Sequence, residues 1–381
     1  QTCAIENATG TITNADVTDI VITCTTQSYT IGGTITGLAG SGLRLRANEA
    51  GRYRATASGP FQFPTAVPSG TSYTVEVEEQ PRRPSQTCTV TNATGVVADA
   101  NVTNIEVTCT ASRFTIGGRV HGLQGSGLTL LNNDGDELAI ASDGVFTFGA
   151  SLESGAAYEV SVATQPSNPL QICSVAHASG TVGDGNVTNV RVDCAAQTFP
   201  ISGTVSGLLG SGLVLRNNNG DPVEVDSDGG FTFPREIASG ANYNVTVHRQ
   251  PSNPTQACTV SNGSGTVTTA AISNVSVSCT TSSFAVGGRV SGLAGTGLVI
   301  ANGVEQLPVS GDGPFTFATA LPSGTAYGVT IATQPSDPEQ VCTISNGSGT
   351  IGASNITNIQ IACTTVQYTI GGTISGLAGQ G

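Results

Sequence analysis

Ten cysteines have the greatest capacity for chemistry in this 381-residue chain, and their spacing is regular. Cys3, Cys88, Cys173, Cys258 and Cys342 follow one another at intervals of 85, 85, 85 and 84 residues. Each has a second Cys 21 positions later: Cys24, Cys109, Cys194, Cys279 and Cys363. Thiols placed this way could oxidise to disulfides or hold a soft metal ion. Zinc is disfavoured, because the spacing is not C-x-x-C and no His recurs with the Cys. A bond within each pair is expected, with a bond between units, such as Cys24 to Cys88, as the alternative. Closing such a loop contributes roughly 3 kcal/mol by the chain-entropy relation. Five pairs with no Cys left over imply an oxidising compartment: periplasm, cell surface or extracellular space.

The other reactive residue types form no recurring site. His121, His177 and His248 fall at three different places in the repeat, where the other copies carry Ser, Thr, Asn, Glu or Ala. A triad would need one of them beside a nucleophile and a carboxylate, so no enzyme and no cofactor are expected. Asp134-Gly-Asp136, Asp226-Ser-Asp228 and Asp312-Gly313 resemble calcium loops faintly, since hard cations take clustered oxygens. Asp143, Asp228 and Asp312 each precede a Gly before an F-x-F strand, which fits tight hairpin turns better. QPRRP, QPSNP, QPSNP and QPSDP (80–84, 165–169, 250–254 and 334–338) match P-x-x-P by letter; a recurring loop explains them better than an SH3 ligand. Nine N-x-S/T sequons, among them Asn92, Asn101, Asn186, Asn262 and Asn346, are what a Thr- and Asn-rich chain produces by chance.

The elements that must position these residues are repeats. Four full copies fit, at 29–113, 114–198, 199–283 and 284–367. Residues 1–28 match the last third of a unit and 368–381 its first strand. The simplest reading of the ends is a window cut from a longer array; the alternative is completion of partial domains by strands of neighbouring chains. Together the two ends supply 42 residues of an 85-residue unit, which leaves the middle strands missing.

Within a copy the apolar residues alternate. Tyr29, Ile31 and Ile35 share a face, as do Leu43 and Leu45, Phe61 and Phe63, Tyr73 with Val75 and Val77, Cys88 with Val90, and Ile105 with Val107 and Cys109. Period two over short runs, broken by Gly, Asn, Asp, Pro and Ser, means strands with one buried face. Six or seven of them in about 85 residues make an immunoglobulin-like β-sandwich, so the chain is expected to be all-β, a tandem array of such domains with one disulfide each. Seventeen of the 18 aromatic residues occupy repeat-equivalent inward positions, leaving Tyr53 outside the pattern. Net charge is -13, every basic residue is Arg, and no apolar run approaches 18 residues. Nucleic acid, an anionic membrane and membrane insertion are therefore not expected partners.

The recurring GGTVSGLxGSGLVL pattern, followed by DGxFTF and SGxxYxVxV, resembles the prealbumin-like, immunoglobulin-like repeats of large bacterial surface proteins, including Cna-B type stalk modules. The resemblance covers nearly the whole chain and rests on turns and core positions, so it implies fold and setting rather than a ligand. Such modules are often locked by an isopeptide bond from Lys; this chain has no Lys, and the disulfide would take the stabilising role.

Between the second Cys of one copy and the aromatic that opens the next there are always four residues: TTQS, TASR, AAQT, TTSS and TTVQ. A short constant connection leaves domains little room to swing, and one repeated screw operation builds a rod or helical filament. Charge is uneven: 29–113 holds seven Arg against six acids, while 114–198 holds two against eight. Arg44, Arg46, Arg52 and Arg54 are a candidate contact for an acidic surface, or simply a solvated strand face. The expectation is a non-catalytic structural protein, extracellular or at a bacterial cell surface, whose partners are other copies or repeats of itself. The alternative is the stalk of an adhesin whose tip, with a host or surface ligand, lies outside this chain.

Overall fold

A computed structural model describes residues 1–376, 378 and 379. The chain forms two compact units, Gln1–Ala196 and Gln197–Gly381, each holding two sandwiches. Every repeat is a sandwich of two four-stranded sheets.

In the first copy, one sheet has the order Gln86–Thr91, Val102–Ala111, Ile31–Thr36, Gly59–Gln62; the other has Thr94–Val96, Ser72–Glu79, Arg44–Ala47, Gly51–Arg54. Strand pairing is antiparallel except between the first long strand, Ile31–Thr36, and the last, Val102–Ala111, which run parallel as neighbours. The other three copies repeat this order and this parallel pair. The two sheets use eight strands per copy, and the first, third and fourth copies add a two-stranded pair such as Ser28–Tyr29 with Val67–Pro68, which exceeds the six or seven expected. Strands as short as Thr94–Val96, with a burial pattern of exposed and half-buried residues, carry no apolar alternation to betray them.

The alternating residues meet between the sheets. Ile31, Leu43, Leu45, Phe63, Val97, Ile105 and Val107 are fully buried in the first copy, and the other copies bury their equivalents. Each F-x-F pair packs edge to face, with ring centroids 5.7 to 6.0 Å apart. Tyr53, outside the aromatic pattern, still packs against this core, 5.5 Å from Phe61. Glycine is obligatory at Gly33, where a Cβ would lie 1.8 Å from the Ile105 carbonyl oxygen, so the first and last strands approach too closely for any side chain.

All ten Cys are paired within their copies, at Cα separations of 3.9 to 4.0 Å, across neighbouring antiparallel strands. Cys88 and Cys109 face the core. The intervening chain is not a simple hairpin turn at Asn92–Gly95, because Thr94–Val96 crosses to pair in the opposite sheet. The Asp-Gly turns are corrected in the same way: in the second copy Asp143-Gly144 joins Asp136–Ile140 in one sheet to Gly144–Glu153 in the other.

The partial copies differ from the full ones. Thr2–Glu6 pairs with Val21–Thr25 through Cys3 and Cys24, and Ile5 and Ile22 are exposed. Between 368 and 379 the described residues form no strand. Tyr368 and Ile370 are exposed there, so Tyr368 is not a core residue. The first-strand reading of 368–381 also takes in Leu377, Gln380 and Gly381, which lie outside the described residues. Among the described residues no helix is long and apolar enough to cross a membrane.

Candidate functional site: the junction between repeats

The constant spacing between copies is tighter than a four-residue linker. Val102–Ala111 ends one copy and Arg113–His121 begins the next, so only Ser112 separates strand from strand. In the second unit Ser282 alone separates Ile272–Thr281 from Ser283–Phe284.

The Q-P-x-x-P loop is fixed first to its own copy. Ser41 and Arg82 exchange backbone hydrogen bonds of 2.8 and 2.9 Å, and the Gln86 N–H donates to the Pro81 carbonyl. The Gln80 side chain lies along the outer edge of the Cys strand: its Oε1 accepts from the Cys88 N–H at 2.7 Å and its Nε2 donates to the Cys88 carbonyl at 3.1 Å. Gln165, Gln250 and Gln334 do the same at Cys173, Cys258 and Cys342. An amide thereby occupies backbone groups that an edge strand would otherwise present to another chain.

The end of that loop then meets the following copy. The N–H of Ser85 donates to Ser154 Oγ at 2.8 Å, and the same hydroxyl donates to the Gly183 carbonyl at 2.8 Å. Ser154 N–H donates to the Ser112 carbonyl, and Ser112 N–H to the Ser85 carbonyl. One buried hydroxyl thus ties the loop of one copy to two loops of the next, around the single linker residue. Beside it, a Cβ added at Gly155 would meet Pro84 Cβ at 3.3 Å, so the small residue gives the proline a seat. The Arg83 N–H approaches Asp184 Oδ1 at 3.5 Å.

The junction within the second unit repeats the pattern. Thr255 N–H donates to Ser323 Oγ at 2.9 Å, Ser323 N–H to the Ser282 carbonyl, and Ser282 N–H to the Thr255 carbonyl. A Cβ on Gly324 would lie 3.5 Å from Pro254 Cβ. Ala353 stands where the first junction has Asp184, so the carboxylate contact is peculiar to the first. The sequence marks Q-P-x-x-P as a recurring loop but does not show what it meets; its recurrence, and that of Ser-Gly in SGxxYxVxV, in phase with the constant linker was the signal that could have joined them.

Other polar residues, the candidate Asp turns among them, brace single copies. Buried Gln86 accepts from the N–H groups of Ala39 and Gly40 and donates to the Gly37 carbonyl, and Gln171, Gln256 and Gln340 make the equivalent three bonds. Asp143, Asp228 and Asp312 accept from the two N–H groups that follow the first strand. The N–H groups of Leu123 and then Gly122 hold the Asp143 carboxyl below its ordinary value of 3.8. Asp136 and Asp221 also accept from backbone N–H groups. Among the described residues no cluster of three or more His, Cys, Asp or Glu is placed to hold a metal ion.

Seven of the nine sequon asparagines have a structural role. Asn7, Asn92, Asn262 and Asn346 adopt positive φ and donate from Nδ2 to the carbonyl twelve residues on; Asn101, Asn186 and Asn355 accept from the N–H groups of Thr30, Thr115 and Ala285, each one residue before the parallel pairing begins at Ile31, Ile116 and Val286. His177 takes the left-handed position in the second copy at φ 52°. His121, His177 and His248 lie exposed in different sandwiches or strands and are not brought together. Arg44, Arg46 and Arg52 pair across their sheet with Glu79, Glu76 and Glu78, so three of the four candidate guanidinium groups are already neutralised.

No protein-family model matches the chain, and no curated protein matches it. Among solved structures it is similar to the Bacillus anthracis TIE protein, at 13% identity and a TM-score of 0.45 over 96% of this chain and 75% of that one. It is also similar to the pilus adhesin SpaC of Lactobacillus rhamnosus GG, at 11% identity and a TM-score of 0.21 over 66% and 43%. The major pilin T-13 of Streptococcus pyogenes matches at 11% identity and a TM-score of 0.17 over 45% and 97%.

Proposed function

We propose that the chain is a non-catalytic structural protein, the repeat region of an extracellular or surface-attached bacterial fibre. Its working units are the copies at 29–113, 114–198, 199–283 and 284–367, continued by the partial copies at 1–28 and 368–381. The observation that carries this reading is the junction. Two junctions, one in each unit, use the same serine hydroxyl, the same single linker residue and the same proline seat. A connection rebuilt with the same atoms repeats one rotation and translation, and that operation generates an extended assembly whose length follows copy number. The partners are other copies or repeats of the same protein.

Disulfides buried beside the core suit an oxidising exterior. Conserving the latch spends polar contacts on orientation rather than on a ligand pocket, which favours structure over recognition. Electron microscopy of the secreted material tests this. Uniform fibres with an axial spacing of one repeat or a small multiple are the expected result. Compact, unextended particles would overturn it, and threads ending in a distinct knob would move the chain to the stalk of an adhesin.

A further inference from the structure

After a short antiparallel pairing at its entrance, such as Ser28–Tyr29 with Val67–Pro68, the chain runs through each sandwich on a first long strand and leaves it on that strand's parallel neighbour. In the first copy Ile31, Gly33, Thr34, Ile35 and Thr36 are in register with Val102, Ile105, Glu106, Val107 and Thr108. The second, third and fourth copies pair Ile116, Ile201 and Val286 with Val187, Ile272 and Ile356 in the same sense. Tension along the chain pulls the first strand backwards from its N-terminal end and the last strand forwards from its C-terminal end. For adjacent parallel strands these forces are opposed along the strand axis, so the hydrogen bonds between them lie across the load and must fail together. Antiparallel neighbours loaded at one end would instead open bond by bond.

We propose that this parallel pair is the mechanical clamp of every repeat, and that the disulfide lies off the primary load path and limits how much chain is released once the clamp fails. Cys109 binds the last strand to Gln86–Thr91, its neighbour on the side away from Ile31–Thr36. The disulfide-linked strand pair therefore shears away from the first strand as one body, with the bond intact. The chain between Cys88 and Cys109, a separation of 21 residues, stays closed. Gly33, Gly118, Gly203 and Gly288 sit within the clamp, where a Cβ would lie 1.8 to 2.1 Å from the facing carbonyl oxygen of the last strand. Their absence of side chain lets the two backbones pair.

The inference deepens the structural reading and rests on it for the direction of load. Its test pulls a single chain, so it reads the clamp whether or not copies assemble into fibres. The whole chain is stretched between its ends by single-molecule force spectroscopy, oxidised and then reduced. Four sharp events of similar force are expected, one per full copy, each releasing about 200 Å of chain at roughly 3.4 Å per residue. Reduction should lengthen each event by about 70 Å and leave its peak force unchanged. In the oxidised chain, Gly33→Ala should lower the force of one event among four. If that copy fails to fold, the other three still report the effect of reduction. Peak forces that fall on reduction would put the disulfide on the load path and overturn the proposal, as would gradual extension without sharp events.

Discussion

The interior of a repeat and the junction between repeats are held in different ways. Inside, two faces of alternating apolar residues, a disulfide, a three-bond Gln clamp and carboxylate caps overlap, so several contacts secure the same loops. At the junction within the first unit, one linker residue, one serine hydroxyl and one proline seat carry the connection. The interior is redundant and the junction is not. The fold of a copy should therefore survive changes that uncouple it from its neighbour, whereas the reverse should not hold.

The strongest way to break this contrast is to remove a disulfide. Replacing Cys173 and Cys194 by Ala should cost the second copy about 3 kcal/mol, read as a separate early transition in calorimetry of the whole chain. The buried glutamine comes next. Gln171→Ala leaves the buried Gly125 N–H bond and the half-buried Gln124 N–H and Gly122 carbonyl bonds without their partner, and about 2 kcal/mol of stability should be lost from the same copy in urea titrations. A smaller effect of different kind is expected at the latch. Ser154→Ala should cost about 1 kcal/mol, appearing as weaker hydrogen-exchange protection at Ser85 and Ser154 while core amides such as Ile116 and Val190 keep theirs. Loss of core protection alongside would mean that junction and interior are one cooperative structure. The smallest effect is a gain: His177→Asn restores the residue used at this left-handed position by three other full-length turns and supplies a donor toward the Asn189 carbonyl. It should raise the copy's stability by about 0.5 kcal/mol.

Much of the interior was legible in the chain. Period two at Ile31, Ile35, Phe61 and Phe63 marks buried strand faces because side chains alternate across a sheet. The 21-residue Cys spacing marked the disulfides. Short crossing strands were not legible, since Thr94–Val96 is too brief and too exposed to alternate. The junction was half legible. The constant linker predicted restricted motion, but Ser154 reads as an ordinary turn residue, and its hydroxyl acquires a role only when two copies meet 69 residues apart in sequence. The sequons failed for the opposite reason: Asn101 and Asn186 look like chance matches until their side chains are seen closing the start of the parallel pairing.

The most direct measurement is a distance distribution across one junction. Spin labels would be placed at exposed Thr89 in the first copy and exposed Glu159 in the second, and read by pulsed electron resonance in the native chain and in Ser154→Ala. A single narrow distribution that broadens in the variant, with the sandwiches still folded, is the predicted result. A broad distribution already present in the native chain would contradict a fixed junction and, with it, the reading of the chain as a repeated structural element.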